Sequence, residues 1–365
     1  MIRLFLFSFF IFNSCNIFSQ YVNYTESSDQ STLQERLRFA LPLALGANYV
    51  GYAEGPEAQY YNPAGLAFTN GITHSSSYFN PIKNYFGMPE NFFFTGSYSN
   101  KKLGAISFGI FTYPKSNNYS SSYSGNQFSI DYSRKFLKWL AIGASISVVP
   151  SEASYYSKID PNTTWSPVSF GISTLAKWNL NKRCRFGVGF VAKNFSPLPY
   201  SSYKGIKWDG TEVIYKNRYN PVVSLGTSYE FSAIDSLAKG LYHIPLKVLF
   251  TSDFIDFISD HQDYGAPKPK YDQHDIHIGV GTMLTLFSLV DLITSYNIES
   301  SYSNLRLGMG LNCSNLFFNK SVTEKWKIGM HILFDERVLG NRFNYNNSQI
   351  HINTVSIRAQ YFFKN

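Results

Sequence analysis

The chain has 365 residues, of which 15% are charged and 18% aromatic, with a formal net charge of +8 and a mean hydropathy of −0.16. Charge is well below the roughly 25% of soluble domains, yet the hydropathy excludes a bundle of membrane helices; strands apolar on one face and polar on the other give this combination. The length suits one large domain or two, and no Lys/Arg block exceeds two residues, so no nucleic-acid partner is expected.

The N-terminus reads as a signal peptide over residues 1–19. Arg3 supplies its positive region, and Leu4–Phe12 (LFLFSFFIF) is an apolar stretch too short to span a bilayer as a helix. Cleavage after Ser19 would leave Gln20 first. Cys15 offers a lipoprotein alternative, although the preceding "FNS" lacks the usual leucine and small residue. Beyond the leader no apolar run is long enough to cross a membrane as a helix. Cys184 and Cys313, the two later cysteines, form neither a disulfide framework nor a zinc spacing. Strand parity puts both on the face of the large apolar residues.

Next comes a turn-forming segment, Glu54–Gly71 (EGPEAQYYNPAGLAFTNG), rich in proline and glycine. From about residue 72 the dominant signal is period two. Ile142, Ala144, Ile146 and Val148 alternate with Gly143, Ser145 and Ser147; Phe186, Val188 and Phe190 alternate with Gly187 and Gly189. The same pattern recurs in 221–231, 276–281 and 305–312. The second face is Gly, Ser and Thr with an occasional charge, unlike the Lys/Glu mixture of a soluble sheet. Repeated glycine on an inward face lets something pack closely against the wall from inside.

About fourteen strands are predicted: 73–79, 92–99, 103–112, 127–136, 139–150, 167–178, 184–194, 221–231, 243–255, 275–285, 288–298, 304–316, 324–334 and 350–363. Connections after the second, fourth, sixth and tenth are short, and most of the others are long. Short turns at one end and long loops at the other are the asymmetry of outer-membrane barrels. The connections after the eighth and eleventh strands depart from it. A soluble two-sheet sandwich is the competing architecture, but so many hairpins in order with one-sided loops are foreign to it. Tyr361 and Phe363 on the outward face of the last strand, with Trp178 and Trp326 at strand ends, fit a membrane interface. The expected fold is therefore all-β, a fourteen-stranded antiparallel transmembrane barrel.

Signatures of catalysis are missing: no GxSxG, HExxH, P-loop or complete GxGxxG occurs, so no enzyme and no cofactor are expected. Asp272, His274, Asp275 and His277, with Asp260, His261 and Asp263 upstream, are weak metal candidates. They are expected in a solvated loop and at the start of a strand. Lys177, Lys193, Glu230, Arg306, Lys327 and Arg358 fall on the inward face. A charge there needs water or a partner, so these residues either pair with one another and with whatever fills the lumen or line a pathway.

The stretch Arg38–Gly71 carries a resemblance. An Arg, a run of small and apolar residues, a Gly, a spacer and an aromatic before Asn-Pro-Ala-Gly-Leu appear here as Arg38, Leu43-Ala44-Leu45-Gly46, Gly55, Tyr61 and Asn62-Pro63-Ala64-Gly65-Leu66. This resembles the N-terminal region of FadL-like outer-membrane proteins, most of all their PorV/PorQ branch in Bacteroidota. Ala47 stands where that branch frequently has a second glycine, and "EGPEA" replaces an aspartate-rich run. The resemblance implies a barrel of fourteen strands (72–365) with an N-terminal plug (20–71) in its lumen, in the outer membrane of a Gram-negative bacterium. It also implies two functions. The preferred one is a PorV/PorQ-like component of type IX secretion that binds a translocon or its cargo, for which the Tyr/Ser/Asn-rich loops Thr112–Asn126 and Ser196–Asn220 suit protein contact. The alternative is a FadL-like channel for long-chain fatty acids or other hydrophobic solutes. Outer-membrane lipid is a partner on either reading.

Overall fold

The computed structural model describes residues 39–79, 91–113, 125–148, 168–195, 201–206, 212–217, 221–236, 243–261, 270–299, 303–313, 326–334 and 352–362. The predicted leader, Arg38 and Phe363 lie outside them. Sixteen strands follow in order: β1 (Gly71–Phe79), β2 (Asn91–Asn100), β3 (Gly104–Tyr113), β4 (Gly125–Leu137), β5 (Leu140–Val148), β6 (Val168–Asn179), β7 (Cys184–Phe195), β8 (Ser201–Ile206), β9 (Glu212–Asn217), β10 (Val222–Ser236), β11 (His243–His261), β12 (Lys270–Leu286), β13 (Val290–Glu299), β14 (Ser303–Asn312), β15 (Trp326–Phe334) and β16 (Ile352–Phe362).

All but β8 and β9 form one closed antiparallel barrel. Each wall strand pairs with its chain neighbours, β7 pairs with β10, and β1 closes the ring on β16 with Gly71 opposite Phe362 and Phe79 opposite Thr354. Closure matters energetically because it leaves no open edge of unpaired backbone groups, which a hydrocarbon environment cannot satisfy.

The period-two pattern decides which face is which. Along β5, Ile142, Ala144 and Ile146 are exposed while Gly143 is buried; along β10, Leu225 and Tyr229 are exposed while Ser224, Gly226 and Ser228 are buried. Large apolar side chains stand exposed right round the cylinder, among them Ile72, Phe94, Ile106, Ile130, Ile172, Phe254, Ile278, Leu307 and Ile357. A water-soluble protein does not carry an apolar surface of that extent. The belt faces lipid, and the fold is a fourteen-stranded transmembrane barrel.

Two expectations need correction. Ser196–Asn220 is not only loop: β8 and β9 pair within it as a separate antiparallel hairpin, with Ser201 opposite Asn217. The stretch holding Asp272, His274, Asp275 and His277 is strand, because β11 and β12 keep pairing outward as far as His261 opposite Lys270. Alternation hid this because Ser259–His261 and Lys270–Asp275 are nearly all polar in sequence, so the run carries no apolar/polar period.

Residues 39–70 lie inside the barrel. They form a short helix α1 (Ala40–Ala44), a helical turn α2 (Ala58–Tyr61) and a 3-10 helix (Pro63–Phe68). Pro42 is tolerated because it sits in the first turn of α1, where its missing N–H costs nothing. The helix is closed by Gly46 N–H donating to Leu43 O (2.8 Å) and Ala47 N–H to Pro42 O (2.8 Å), a Schellman arrangement that needs a left-handed residue after the cap. Gly46 supplies it at φ 76°, and Ala47 follows at φ 61°. Left-handed alanine is strained, so a glycine at position 47 would relieve strain that Ala47 carries.

Candidate functional site

The inner segment and the wall it touches form the candidate site. Asn62 stands at its centre and is fully buried. Preceding a proline, it is extended (φ −158°, ψ 92°) and caps the 3-10 helix: its Oδ1 accepts from Ala64 N (3.2 Å) and its Nδ2 donates to Val50 O (2.9 Å) and Thr174 O of β6 (3.0 Å). One side chain thus ties two parts of the inner segment to the wall. Pro63 occupies the first turn of that helix, Ala64 N also donates to Ser173 Oγ (3.0 Å), and Leu66 O accepts from Ser99 Oγ (3.2 Å). Gly65 packs face to face on the backbone of Ala53, leaving no room for a Cβ. Tyr61 is buried edge-on to Tyr49, with ring centroids 5.6 Å apart.

Attachment continues around the ring. Ala40 N donates to Ser356 Oγ (2.7 Å), Val50 N to Asp253 Oδ2 (2.8 Å), and Asn297 Nδ2 to Gly46 O (2.8 Å). Gln59 accepts from Thr95 Oγ1 and donates to Ser129 Oγ (3.0 Å), while Ser75 Oγ donates to Glu57 Oε1 (3.0 Å). Inward glycines allow this closeness: Gly187 and Gly226 meet the backbone of Gly51, Gly189 meets Val50 O, Gly281 meets Leu45 O and Gly308 meets the Ala44 methyl.

Charges gather on β6, β7, β10 and β11 towards the end of the barrel that carries the β6–β7 turn. Glu54 Oε1 lies 2.9 Å from Lys177 Nζ and 2.6 Å from Arg185 Nη1; Arg185 Nη2 is 2.9 Å from Glu230 Oε2, which Lys247 Nζ approaches to 2.5 Å. Burial alone would raise the Glu54 pKa, but Lys177, Arg185 and Lys247 outweigh it and hold the carboxyl well below the usual carboxylate range. Gly55 follows at φ 79°, turning the chain beside Gln360 and Glu57.

Of the six inward charges read from parity, Lys177 and Glu230 enter this network. Lys193 instead stands 4.0 Å over the Tyr60 ring, Lys327 lies 5.2 Å over Phe362, Arg358 is within electrostatic reach of Glu57, and Arg306 is buried on the inward face of β14. Lys327 is also within electrostatic reach of Glu54, Glu230, Lys247 and Arg358, so the structure gathers most of the six near the Glu54 network and leaves Lys193 apart beside Asp131. Sequence reasoning missed Glu54, Arg185 and Lys247, although Arg185 shares the parity of Gly187 and Gly189 and was legible from it. Among the described residues no group of His, Cys, Asp and Glu is placed to hold a metal. His277 is buried on the inward face, and the side chains of Asp260, His261, Asp263, Asp272, His274 and Asp275 fall outside the description.

At the opposite, long-loop end the interior turns aromatic. Phe39 of the inner segment, Phe93 of β2 and Phe111 of β3 are buried together, with centroids 6.0 Å and 4.2 Å apart. They line a cavity of about 30 Å3 with Tyr60, Phe94 and Ile110. A second cavity of about 30 Å3 shares Gln59, Tyr60, Gln127 and Ser129 with the first and adds Asp131, Ser145 and Lys193. Both spaces are mixed in character and adjoin at Gln59 and Tyr60, with aromatic rings gathered in the first and Asp131 and Lys193 in the second.

No family model matches the chain, and no curated protein does. Among solved structures, the toluene transporter TbuX of Ralstonia pickettii aligns over 91% of this chain and 100% of its own, at 10% identity and a TM-score of 0.47. The toluene transporter TodX of P. putida aligns over 90% of this chain and 100% of its own, at 15% identity and a TM-score of 0.49. The CymD monoaromatic hydrocarbon channel aligns over 90% and 98% respectively, at 8% identity and a TM-score of 0.44.

Proposed function

We propose that this protein is an exported outer-membrane barrel that takes up hydrophobic solutes, with residues 39–70 as the plug that must shift for a solute to pass. The observation carrying this reading is the Phe39–Phe93–Phe111 cluster. Inward positions on β1 to β6 are otherwise dominated by Ser, Thr and Gly, and these rings place an apolar surface and a small cavity between plug and wall at the long-loop end. A solute entering there meets apolar contacts first and the Glu54 ion pairs last. Such a gradient suits a molecule held by dispersion and apolar burial and then released to water. The preference between the two expectations read from the sequence is therefore reversed, in favour of FadL-like hydrophobic transport.

The test is binding and uptake. In the purified barrel, Phe93→Ser with Phe111→Ser weakens binding of the fluorophore N-phenyl-1-naphthylamine at least ten-fold, since each ring contributes about 1.5 kcal/mol or more of apolar contact. Cells carrying the double variant take up toluene or oleate no faster than cells lacking the protein. Unchanged binding and uptake in a folded double variant overturn the reading.

A second reading, a PorV/PorQ-like protein-binding role in type IX secretion, draws on the hairpin β8–β9, which stands apart from the wall sheet in a long connection. A free two-stranded sheet offers edges to which an extended peptide can add. Deleting residues 201–217 then abolishes copurification of secreted cargo while leaving solute uptake intact.

A further inference from the structure

The short-turn rim carries a charge pattern that the lumen does not use. Three turns consecutive around the ring, β2–β3, β4–β5 and β6–β7, together with the strand ends beside them, hold Lys101, Lys102, Arg134, Lys138, Lys182 and Arg183, all exposed. No Asp or Glu occurs in residues 100–104, 132–141 or 178–186. The described turn elsewhere on this rim, Phe287–Leu289, has no charged residue at all. Arg185, though close in sequence, is turned inward onto Glu54 and Glu230 and belongs to the plug contacts.

The same turns and strand ends also expose large apolar side chains: Leu103 at 68%, Phe136 at 65%, Leu180 at 61% and Leu137 at 48%. Trp139 stacks on Trp178 with centroids 5.5 Å apart, and Trp178 on Phe186 at 6.1 Å. Tryptophans stacked at strand ends mark the depth at which hydrocarbon gives way to headgroups. Cations set among leucines and aromatics at that depth meet phosphate and acyl chain together. An acidic soluble partner would account for the cations and leave the leucines unexplained.

We infer that this sector of the rim is a binding site for anionic phospholipid, in which the lysines and arginines take the headgroup phosphate while Leu103, Phe136, Leu137 and Leu180 sit among the acyl chains. Each exposed cation near such a headgroup is worth up to about a five-fold change in affinity at low salt. The attraction is screened within about one Debye length, which shortens to a few ångströms at high salt.

Native mass spectrometry of the whole purified barrel, offered equal amounts of phosphatidylglycerol and phosphatidylcholine with matched acyl chains, tests this. The anionic lipid is retained at least ten-fold more than the zwitterionic one, and the preference falls towards unity at high salt. In the variant Lys101→Gln/Lys102→Gln/Lys138→Gln/Lys182→Gln, shown by heat-modifiable gel mobility to remain a barrel, the preference is lost. Equal retention of the two lipids by the unmodified protein overturns the proposal, as does an undiminished preference in the folded variant. Displacement of the bound lipid by millimolar inorganic phosphate also overturns it, because the site would then read phosphate and not lipid. The salt titration of the unmodified barrel decides the matter even where the variant does not assemble.

Discussion

Glu54 shows how a single residue can tie the inner segment to the wall. It lies on the inner segment, yet its partners Lys177 and Arg185 belong to β6 and β7, so the ion pairs bridge the two. A carboxyl whose folded pKa is depressed contributes stability above its unfolded value of about 4.3 and loses it as pH falls towards the folded one. The carboxylate should therefore keep the segment seated from about pH 7 down to about 5 and release it in more acidic medium. Glu54→Gln leaves Lys177 and Arg185 without their carboxylate and weakens attachment by about 1.5–3 kcal/mol at neutral pH, the range for hydrogen bonds to a charged group. Planar-bilayer recordings check it: the wild type is quiet down to about pH 5, whereas the variant opens at pH 7. Silence of the variant at every pH would count against the latch.

At the scale of the element, the glycines of the wall decide how closely the inner segment seats. Gly189 in β7 has Val50 O against it, and Gly187 and Gly226 bracket Gly51. Gly189→Val leaves the outward face and the ladder pairing to Leu225-side neighbours intact, with Gly226 still opposite position 189. It should assemble a barrel of normal gel mobility in which residues 39–70 are digested by added protease at least ten times faster than in wild type, from overpacking of about 1–3 kcal/mol. Parity alone exposed these glycines, because Phe186, Val188 and Phe190 alternate with them. Phe93 was illegible for the opposite reason: Phe92, Phe93 and Phe94 are chemically identical, yet their exposures are 53%, 3% and 46%. A run of one residue type carries no parity.

For the whole molecule, the decisive claim is that the exposed face meets lipid. Ile172, 61% exposed in β6, is a sensitive probe. Ile172→Arg should destabilise refolding into vesicles by about 2–4 kcal/mol if that position lies near the bilayer midplane. On the solvent face of a soluble sandwich the same change would be close to neutral. Reversible urea titration in lipid vesicles separates the two, and a change within about 0.5 kcal/mol would contradict the membrane assignment.

By itself the sequence determined the number of wall strands, which face of most of them looks outward, and that a glycine- and proline-rich segment precedes the wall. These are local properties: side chains alternate strictly along a strand, and glycine and proline restrict the backbone wherever they occur. Only the tertiary structure decided which charges meet. Glu54 is over a hundred residues from Lys177, and closing the ring between β1 and β16 is what sets the inner segment within reach of nearly every strand. The aromatic cavity at one end and the ion pairs at the other follow from that enclosure, since no local pattern records which inward positions a folded-in segment will cover.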